Sequence, residues 1–399
     1  MKFQINSALL KKALERVAIA TPKNTTIPAL QGIVLEAHSN DYITLKGTNI
    51  RDFIHEYIEA EVFVPGSVWI PLNIVKALPK EPEIIKIELV GNDLNLVRPN
   101  GTKFKFRSRW DIDELPDRVL ISNLVENHRF YFPLSATNKK SLLSALKLGN
   151  HCASTTANSL QGFDGLVLNP SDKGLESVST DGNRLVVSIL KGDYQGKDER
   201  TRYALDDRTT SNILKWVKLL PENGHLDIIF FENGNRRYVK LSACDQSFFT
   251  ECRTIDFIDY QEYVEEKYSL DSNHYGFRFN RKELLQTIKE LSGSIDTENI
   301  GFYFNPSTAQ PGESYIFMTD TLDTDIEAPI PHVGKIYYGI NSKRVGDRAQ
   351  ICFRIKYLLE MLSTSQAEEM DFFCAGDGMP GYFFGTDQEI IVIMSLSTL

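Results

Sequence analysis

Cysteine is scarce in this 399-residue chain, and the few present are badly placed for cross-linking. The five (Cys152, Cys244, Cys252, Cys352 and Cys374) are odd in number, widely spaced and form no Cys-x-x-Cys pair. They read as packing residues and speak against a disulfide or zinc framework. No apolar run approaches the ~18 residues that a membrane helix needs, so no helical span is expected. The seven histidines show no metal-ligand spacing, and neither Gly-x-Ser-x-Gly nor His-Glu-x-x-His occurs. The acidic clusters Asp111-Ile-Asp113-Glu114 and Glu368-Glu369-Met-Asp371 read as solvated chain ends rather than paired catalytic carboxylates.

A phosphate loop is missing too. Gly376-Asp377-Gly378-Met379-Pro380-Gly381 matches G-x-G-x-x-G, but strand-like Tyr-Phe-Phe follows it instead of the helix whose N-terminus would hold a pyrophosphate. Gly192 to Lys197 is one residue short of a P-loop and lacks the Ser/Thr for magnesium. The reading is of a protein that is not an enzyme and needs no cofactor and no metal. Met1-Lys2-Phe3 runs straight into the first structural unit, so no signal or transit segment is expected and the cytoplasm is the expected location.

Positive charge is also in deficit, with 44 Lys and Arg against 53 Asp and Glu and a net charge of -9. Its distribution is uneven. The candidate helices at residues 7–23, 73–80, 138–150, 211–220, 281–291 and 354–363 together carry +12, which leaves the remainder at -21. Basic helices on an acidic body suit a protein of which one surface meets phosphates and the others do not. Lysine and arginine are also simply good residues for a solvated helix face.

What the chain does contain is a strand followed at once by an amphipathic helix, three times over. In Phe3 to Val17, Leu9, Leu10, Ala13, Leu14, Val17 and Ala18 gather on one helical face, with Lys11, Lys12, Glu15 and Arg16 on the other. The second copy starts at Phe130-Tyr131-Phe132, takes Thr137-Asn138 as its cap and continues with Leu142, Leu143 and Leu146 between Lys139, Lys140 and Lys147. The third starts at Phe277-Arg278-Phe279, with Asn280 as cap, Leu284, Leu285, Ile288 and Leu291 as the apolar stripe, and Arg281, Lys282 and Lys289 as the charge. A period of roughly 130 to 145 residues is domain-sized. Each copy continues with strands and a second helix, giving an α+β architecture of three homologous domains, two helices on antiparallel sheets in each, at residues 1–125, 126–265 and 266–399.

The most specific local motif is Ser179-Thr180-Asp181-Gly182-Asn183-Arg184-Leu185, a tight turn between two strands. Together with the three repeats, the helix lead Arg354-Ile-Lys-Tyr357-Leu-Leu and the terminal strand near Val392-Ile393-Met394, it resembles the bacterial DNA polymerase III beta subunit, the sliding clamp, over essentially the whole chain.

The resemblance implies a ring made by a head-to-tail homodimer, with helices lining a hole for duplex DNA. The DNA-facing residues would be Lys11, Lys12, Arg16, Lys23, Lys76, Lys80, Lys139, Lys140, Lys147, Lys215, Lys218, Arg281, Lys282 and Lys289. It implies contacts that are numerous and blind to sequence, and loading by a separate ATP-driven protein. DNA polymerase and the clamp loader would dock through short peptide motifs. Their pocket would comprise Phe163, Thr180, Gly182, Asn183, Arg184, Leu185, Ile258, Tyr263, Val392, Met394, Ser395 and Leu396. The dimer interface would join Phe104 and Phe106 to Leu291 and Ile295 of the other copy. Asn183 stands where the family usually has His, Ile258 where it has Pro and Glu262 where it has a basic residue, and the tail Met394-Ser395-Leu396-Ser397-Thr398-Leu399 departs from Met-Pro-Met-Arg-Leu. Such departures imply altered partner specificity, as in an accessory clamp. The alternative is a clamp-fold interaction scaffold that does not encircle DNA.

Overall fold

The computed structural model describes residues 1–112, 124–153, 165–196, 201–255, 257–261, 275–294, 296–304, 314–319, 325–329, 349–374, 378–386 and 389–396. The repeated unit is present three times. Strand Lys2–Asn6 leads into helix α1 (Ser7–Val17), and Val125–Pro133 precedes α2 (Ala136–Cys152). A second-type helix, α3 (Asp207–Lys218), follows, then strand Tyr275–Asn280 runs into α4 (Arg281–Ser292), and α5 (Ile355–Thr364) comes last.

The helix starts have identifiable chemistry. The Asn6 side chain accepts from the Ala8 amide at 2.9 Å, and the Asn280 side chain from the amides of Lys282 and Glu283 at 3.0 and 3.2 Å. For α2 the expected cap at Thr137-Asn138 is corrected to Ser135, whose hydroxyl accepts from the Asn138 amide at 3.1 Å. Asn138 instead donates its side-chain amide to the Pro133 carbonyl. Helix α3 begins four residues before the expected Ser211, because Asp206 caps it by accepting from the Thr209 amide at 2.7 Å. The expected second helix of the first repeat is a 3-10 segment, Leu72–Ala77. Pro71 and Pro79 bracket it too closely for an α-helix to propagate, and Leu78 before the proline is extended.

In α1, Leu10, Ala13, Leu14 and Val17 are buried as expected, whereas Leu9 is 46% exposed. At ~100° per residue it lies about a quarter-turn from the centre of the buried stripe. The stretch His55 to Val64, which reads as one strand, is two. Asp52–Glu59 and Glu61–Val64 belong to different sheets, and the chain changes sheet at buried Ala60, whose amide reaches the Asp41 carbonyl at 3.0 Å.

The chain divides into two compact units, residues 1–139 with 192–254, and residues 140–191 with 255–399. In the first, a nine-stranded antiparallel sheet runs from Asp193–Gly196 through Gln246–Glu251 and Asp52–Glu59 to Gly66–Pro71. A five-stranded sheet runs from Glu61–Val64 to the edge strand Lys103–Arg107. In the second, strands Gly174–Thr180, Arg184–Leu190 and Glu389–Ile393 lie side by side, and a four-stranded sheet runs from Asp325–Pro329 to Ala349–Arg354. The division cuts through the middle expected domain because the sheets continue across the expected joints: Phe53 pairs with Phe249, and Leu185 with Val392.

Each unit has its own core. In the second, Phe277, Phe302, Phe353, Phe372 and Phe383 are fully buried and contact one another edge-on or tilted at 4.7 to 6.1 Å between centroids. In the first, the buried Asp52 carboxylate ties α3 to the sheet. It accepts from the Thr209 and Thr250 hydroxyls at 3.0 and 2.9 Å and from the Asn212 and Asn49 amides at 2.8 and 3.0 Å. Four donors leave this 1%-exposed charge well compensated.

Candidate peptide and nucleic-acid surfaces

The Thr180–Leu185 turn is built by its own side chains. Thr180 Oγ1 donates to the Arg184 carbonyl at 2.7 Å and accepts from the Gly182 amide at 3.1 Å. Asp181 Oδ1 accepts from the amides of Asn183 and Arg184 at 2.9 and 3.0 Å. Gly182 has φ 85°, the left-handed region that costs glycine nothing.

The structure brings most of the expected pocket residues together. Leu185 lies opposite Val392 in the ladder, the Met394 amide donates to the Asn183 carbonyl at 2.7 Å, and the Leu396 amide donates to the Cys352 carbonyl at 2.8 Å. Leu185 and Val392 form a buried floor, while Gly182, Asn183 and Met394 are exposed and Ser395 and Leu396 are half-buried. Ile258 is half-buried in a segment pinned by Tyr260. The Tyr260 hydroxyl donates to the buried Glu176 carboxylate, which also accepts from the Asn169 amide at 2.9 Å. Burial beside that carboxylate pushes the Tyr260 phenol well above its ordinary range. Phe163 and Tyr263, like Glu262, lie outside the described residues.

Arg184 is a correction. Expected as a pocket-lining group, its side chain is only 9% exposed and is fully engaged. The guanidinium donates to Asp181 Oδ2 at 3.0 Å, to Glu360 of α5 and to the His151 carbonyl near the end of α2, and lies 4.4 Å from the Tyr357 ring centre. Asp181 and Tyr357 stand in the two motifs noted in the sequence but were not assigned to the site, and Glu360 was not singled out at all. The three-residue spacing of Tyr357 and Glu360 places both on one helical face.

Of the fourteen basic residues expected to face DNA, three are occupied elsewhere. Arg16 pairs with Glu56, Nε to Oε2 at 2.8 Å, and burial pushes that carboxyl above its usual range while the guanidinium opposes the shift. Lys139 is 8% exposed, and its Nζ donates to the carbonyls of Lys218 and Leu220 at 3.1 and 2.6 Å, closing the C-terminal end of α3. Arg281 closes the end of α5 in the same way, donating to the carbonyls of Leu362 and Ala367. Position on a basic helix did not reveal which cation faces inward. Lys11 is half-buried, and Lys12, Lys23, Lys76, Lys80, Lys140, Lys147, Lys215, Lys218, Lys282 and Lys289 are exposed. Among the described residues none of these eleven has a carboxylate within 4.0 Å.

Phe104 and Phe106 are half-buried on the edge strand, with the Arg98 guanidinium 5.0 Å from the Phe104 ring centre. Leu291 packs partly against its own core, and Ile295 lies outside the described residues. Of the two phosphate-loop lookalikes, Gly381 opens strand Gly381–Thr386, and Asp193–Gly196 is itself a strand paired with residues 128–131.

Comparison with known proteins gives one consistent result. The family described as DNA polymerase III beta subunit, N-terminal domain, matches residues 1–117. The beta sliding clamp of Bacillus subtilis is 24% identical over 410 residues, covering 99% of both chains. That of Caulobacter vibrioides is 28% identical over 200 residues, 48% of this chain and 50% of the relative. Among solved structures, the Bacillus subtilis DNA polymerase sliding clamp superimposes with a TM-score of 0.79 at 20% identity. The Helicobacter pylori beta clamp bound to a DNA ligase peptide does so at 0.76 and 18%, each covering 100% of both chains.

Proposed function

This chain is a divergent member of the DNA polymerase III beta subunit family, the sliding clamps, and from that premise we propose how its surfaces divide the work. A sliding clamp is a non-catalytic processivity factor that holds a polymerase to duplex DNA. The observation that carries this reading is full-length correspondence to the clamp fold combined with eleven lysines, on and beside the helices of all three repeats, that have no carboxylate partner among the described residues. Unpaired, solvated ammonium groups suit weak, sequence-blind phosphate contacts that permit sliding. The three repeats are taken as domains at 1–125, 126–265 and 266–399. The ring closes as a head-to-tail homodimer, a separate protein opens it for loading, and the cytoplasm is its place of work.

Partners dock through short peptides on the surface formed by the Thr180–Leu185 turn and Met394. The Helicobacter pylori relative was solved with a DNA ligase peptide, which supports the same use here. A peptide of the Gln-Leu-x-Leu-Phe kind burying two apolar side chains at ~1.5 to 3 kcal/mol each, less the cost of ordering it, binds with a Kd on the order of micromolar. Met394→Ala weakens that binding by ~1 kcal/mol or more and leaves DNA binding intact, whereas Lys147→Ala weakens DNA binding alone. Calorimetric titration of both variants with the peptide, and a DNA retention assay, check this crossed pattern. A Met394→Ala protein that binds the peptide like the parent places the peptide site elsewhere.

The dimer closes on the edge strand Lys103–Arg107, where pairing would satisfy free backbone groups and cover Phe104 and Phe106. Leu291 and Ile295 of the other copy are the proposed counterpart. Phe106→Asp yields monomers in sedimentation velocity at concentrations where the parent sediments as a dimer, and an unchanged dimer shows that the interface lies elsewhere.

A further inference from the structure

The turn Thr180–Leu185 has a counterpart in the other unit that the sequence conceals. Thr48-Asn49-Ile50-Arg51-Asp52-Phe53 shares only its threonine with Thr180-Asp181-Gly182-Asn183-Arg184-Leu185, yet the hydrogen bonds coincide. Thr48 Oγ1 accepts from the Ile50 amide at 2.9 Å, as Thr180 Oγ1 does from Gly182. Asn49 Oδ1 accepts from the amides of Arg51 and Asp52 at 3.0 and 2.8 Å, as Asp181 Oδ1 does from Asn183 and Arg184. The Asn49 amide reaches the Asp52 carbonyl at 3.2 Å, and the Asp181 amide the Arg184 carbonyl at 3.3 Å. Ile50 has φ 83° where Gly182 has 85°.

The likeness extends past the turn. Phe53 pairs with Phe249 as Leu185 pairs with Val392, and all four are buried floor residues. The last polar residue of each turn then reaches the third and sixth residues of a helix. Asp52 holds Thr209 and Asn212 of α3, and Arg184 holds Tyr357 and Glu360 of α5.

Beside the first-unit turn lies a cavity of about 760 Å³, in the range of ligand sites, walled by Ile50, Phe53, Leu124, Tyr238 and Phe249. Its rim carries the turn Asn233 to Arg236. The Arg236 side chain is 71% exposed. It lies beside the Tyr238 side chain, and Glu251, which also lines the cavity, is 3.7 Å away, beyond hydrogen-bond reach, so the remaining guanidinium donors face solvent. Arg51 on the same rim is held by Asp206. Ile50 bears two costs at once. A β-branched side chain sits in the left-handed region and is 50% exposed instead of packed. Strain without compensating burial is the mark of a position kept for contact with something else.

We propose that this cavity is a second peptide site, the counterpart of the Met394 pocket. It takes an extended partner segment with a leucine or phenylalanine anchor followed by an acidic residue. The anchor enters against Ile50, Tyr238 and Leu124, and the carboxylate meets Arg236. Each chain then offers two peptide sites of one plan, the first carrying an exposed arginine and the second an exposed methionine on its rim. The proposal rests on the peptide reading of the Met394 pocket, and the test separates the two.

The full-length protein is titrated calorimetrically with the synthetic peptide Gln-Leu-Asp-Leu-Phe-Asp-Glu. The parent is expected to bind two peptides per chain. Arg236→Glu, a change at an exposed position that leaves the fold intact, is expected to weaken one site about tenfold and leave the other untouched, while Met394→Ala does the reverse. Ile50→Gly is expected to raise the melting temperature by relieving the backbone and to lower affinity at the Arg236 site several-fold, a combination that a purely structural Ile50 does not produce. One site per chain, lost in Met394→Ala and indifferent to Arg236→Glu, overturns the second site. One site sensitive to Arg236→Glu and indifferent to Met394→Ala supports it and removes the Met394 reading instead. No binding by the parent overturns both.

Discussion

Arg184→Ala is expected to destabilise the unit formed by residues 140–191 and 255–399 by ~3 to 5 kcal/mol, the usual cost of removing one partner from a buried ionic cluster. Asp181, 13% exposed, would keep a charge without its counter-ion, Glu360, 24% exposed, would be left with only the solvated Lys356 ammonium at 4.0 Å, the His151 carbonyl would lose its donor, and the Tyr357 ring would face a void. At ~2 to 4 °C per kcal/mol for a unit of this size, the calorimetric transition moves down by ~6 °C or more. Arg184→Lys restores little, because an ammonium cannot reach three acceptors in the plane that the guanidinium spans while stacking on the tyrosine. A residue that merely lined a peptide pocket would change affinity and leave the melting temperature in place. A shift of less than ~1 °C in Arg184→Ala therefore returns Arg184 to the pocket and removes it from the frame.

That contrast shows what the sequence could and could not disclose. The repeats were legible because each begins with a strand running into an amphipathic helix, and burial of Leu10, Leu14, Leu284 and Ile288 follows the 3.6-residue period directly. The Asn280 cap was legible from its residue type and position. Helix ends set by competition were less so. Ser135 displaced the expected cap of α2, and flanking prolines turned the short helix of the first repeat into a 3-10 segment.

The basic surface was legible in sum and not residue by residue. Lys139 and Arg281 look like solvated cations in a linear sequence, but the long side chains reach carbonyls ~80 residues away at the ends of α3 and α5. Arg16 is neutralised by Glu56, forty residues on, for the same reason. Such pairings depend on which strand register the fold selects, and no local pattern encodes them. The Thr48–Phe53 turn stayed hidden because its geometry is made by side-chain acceptors that Asn and Asp supply equally well, while isoleucine takes a backbone conformation that glycine ordinarily fills.

We propose that this protein holds DNA by enclosing it. The eleven lysines proposed to face DNA, which make no ion pair among the described residues, would contribute attraction that salt removes, so phosphate contacts by themselves predict binding that vanishes as ionic strength rises. Enclosure predicts something different, because a closed ring cannot leave a circle whatever the screening. The largest effect should therefore come from cutting the DNA. The protein is incubated with a nicked circular plasmid, ATP and the proposed loader in a cell extract, passed through a gel-filtration column at ~1 M salt, where the screening length falls to ~3 Å, and the plasmid is then cut once with a restriction enzyme. Retention on the circle through the high-salt column, followed by near-complete loss from the linear form, is the predicted result. Release from circular and linear DNA alike as salt rises would contradict it and leave an interaction scaffold that does not encircle DNA.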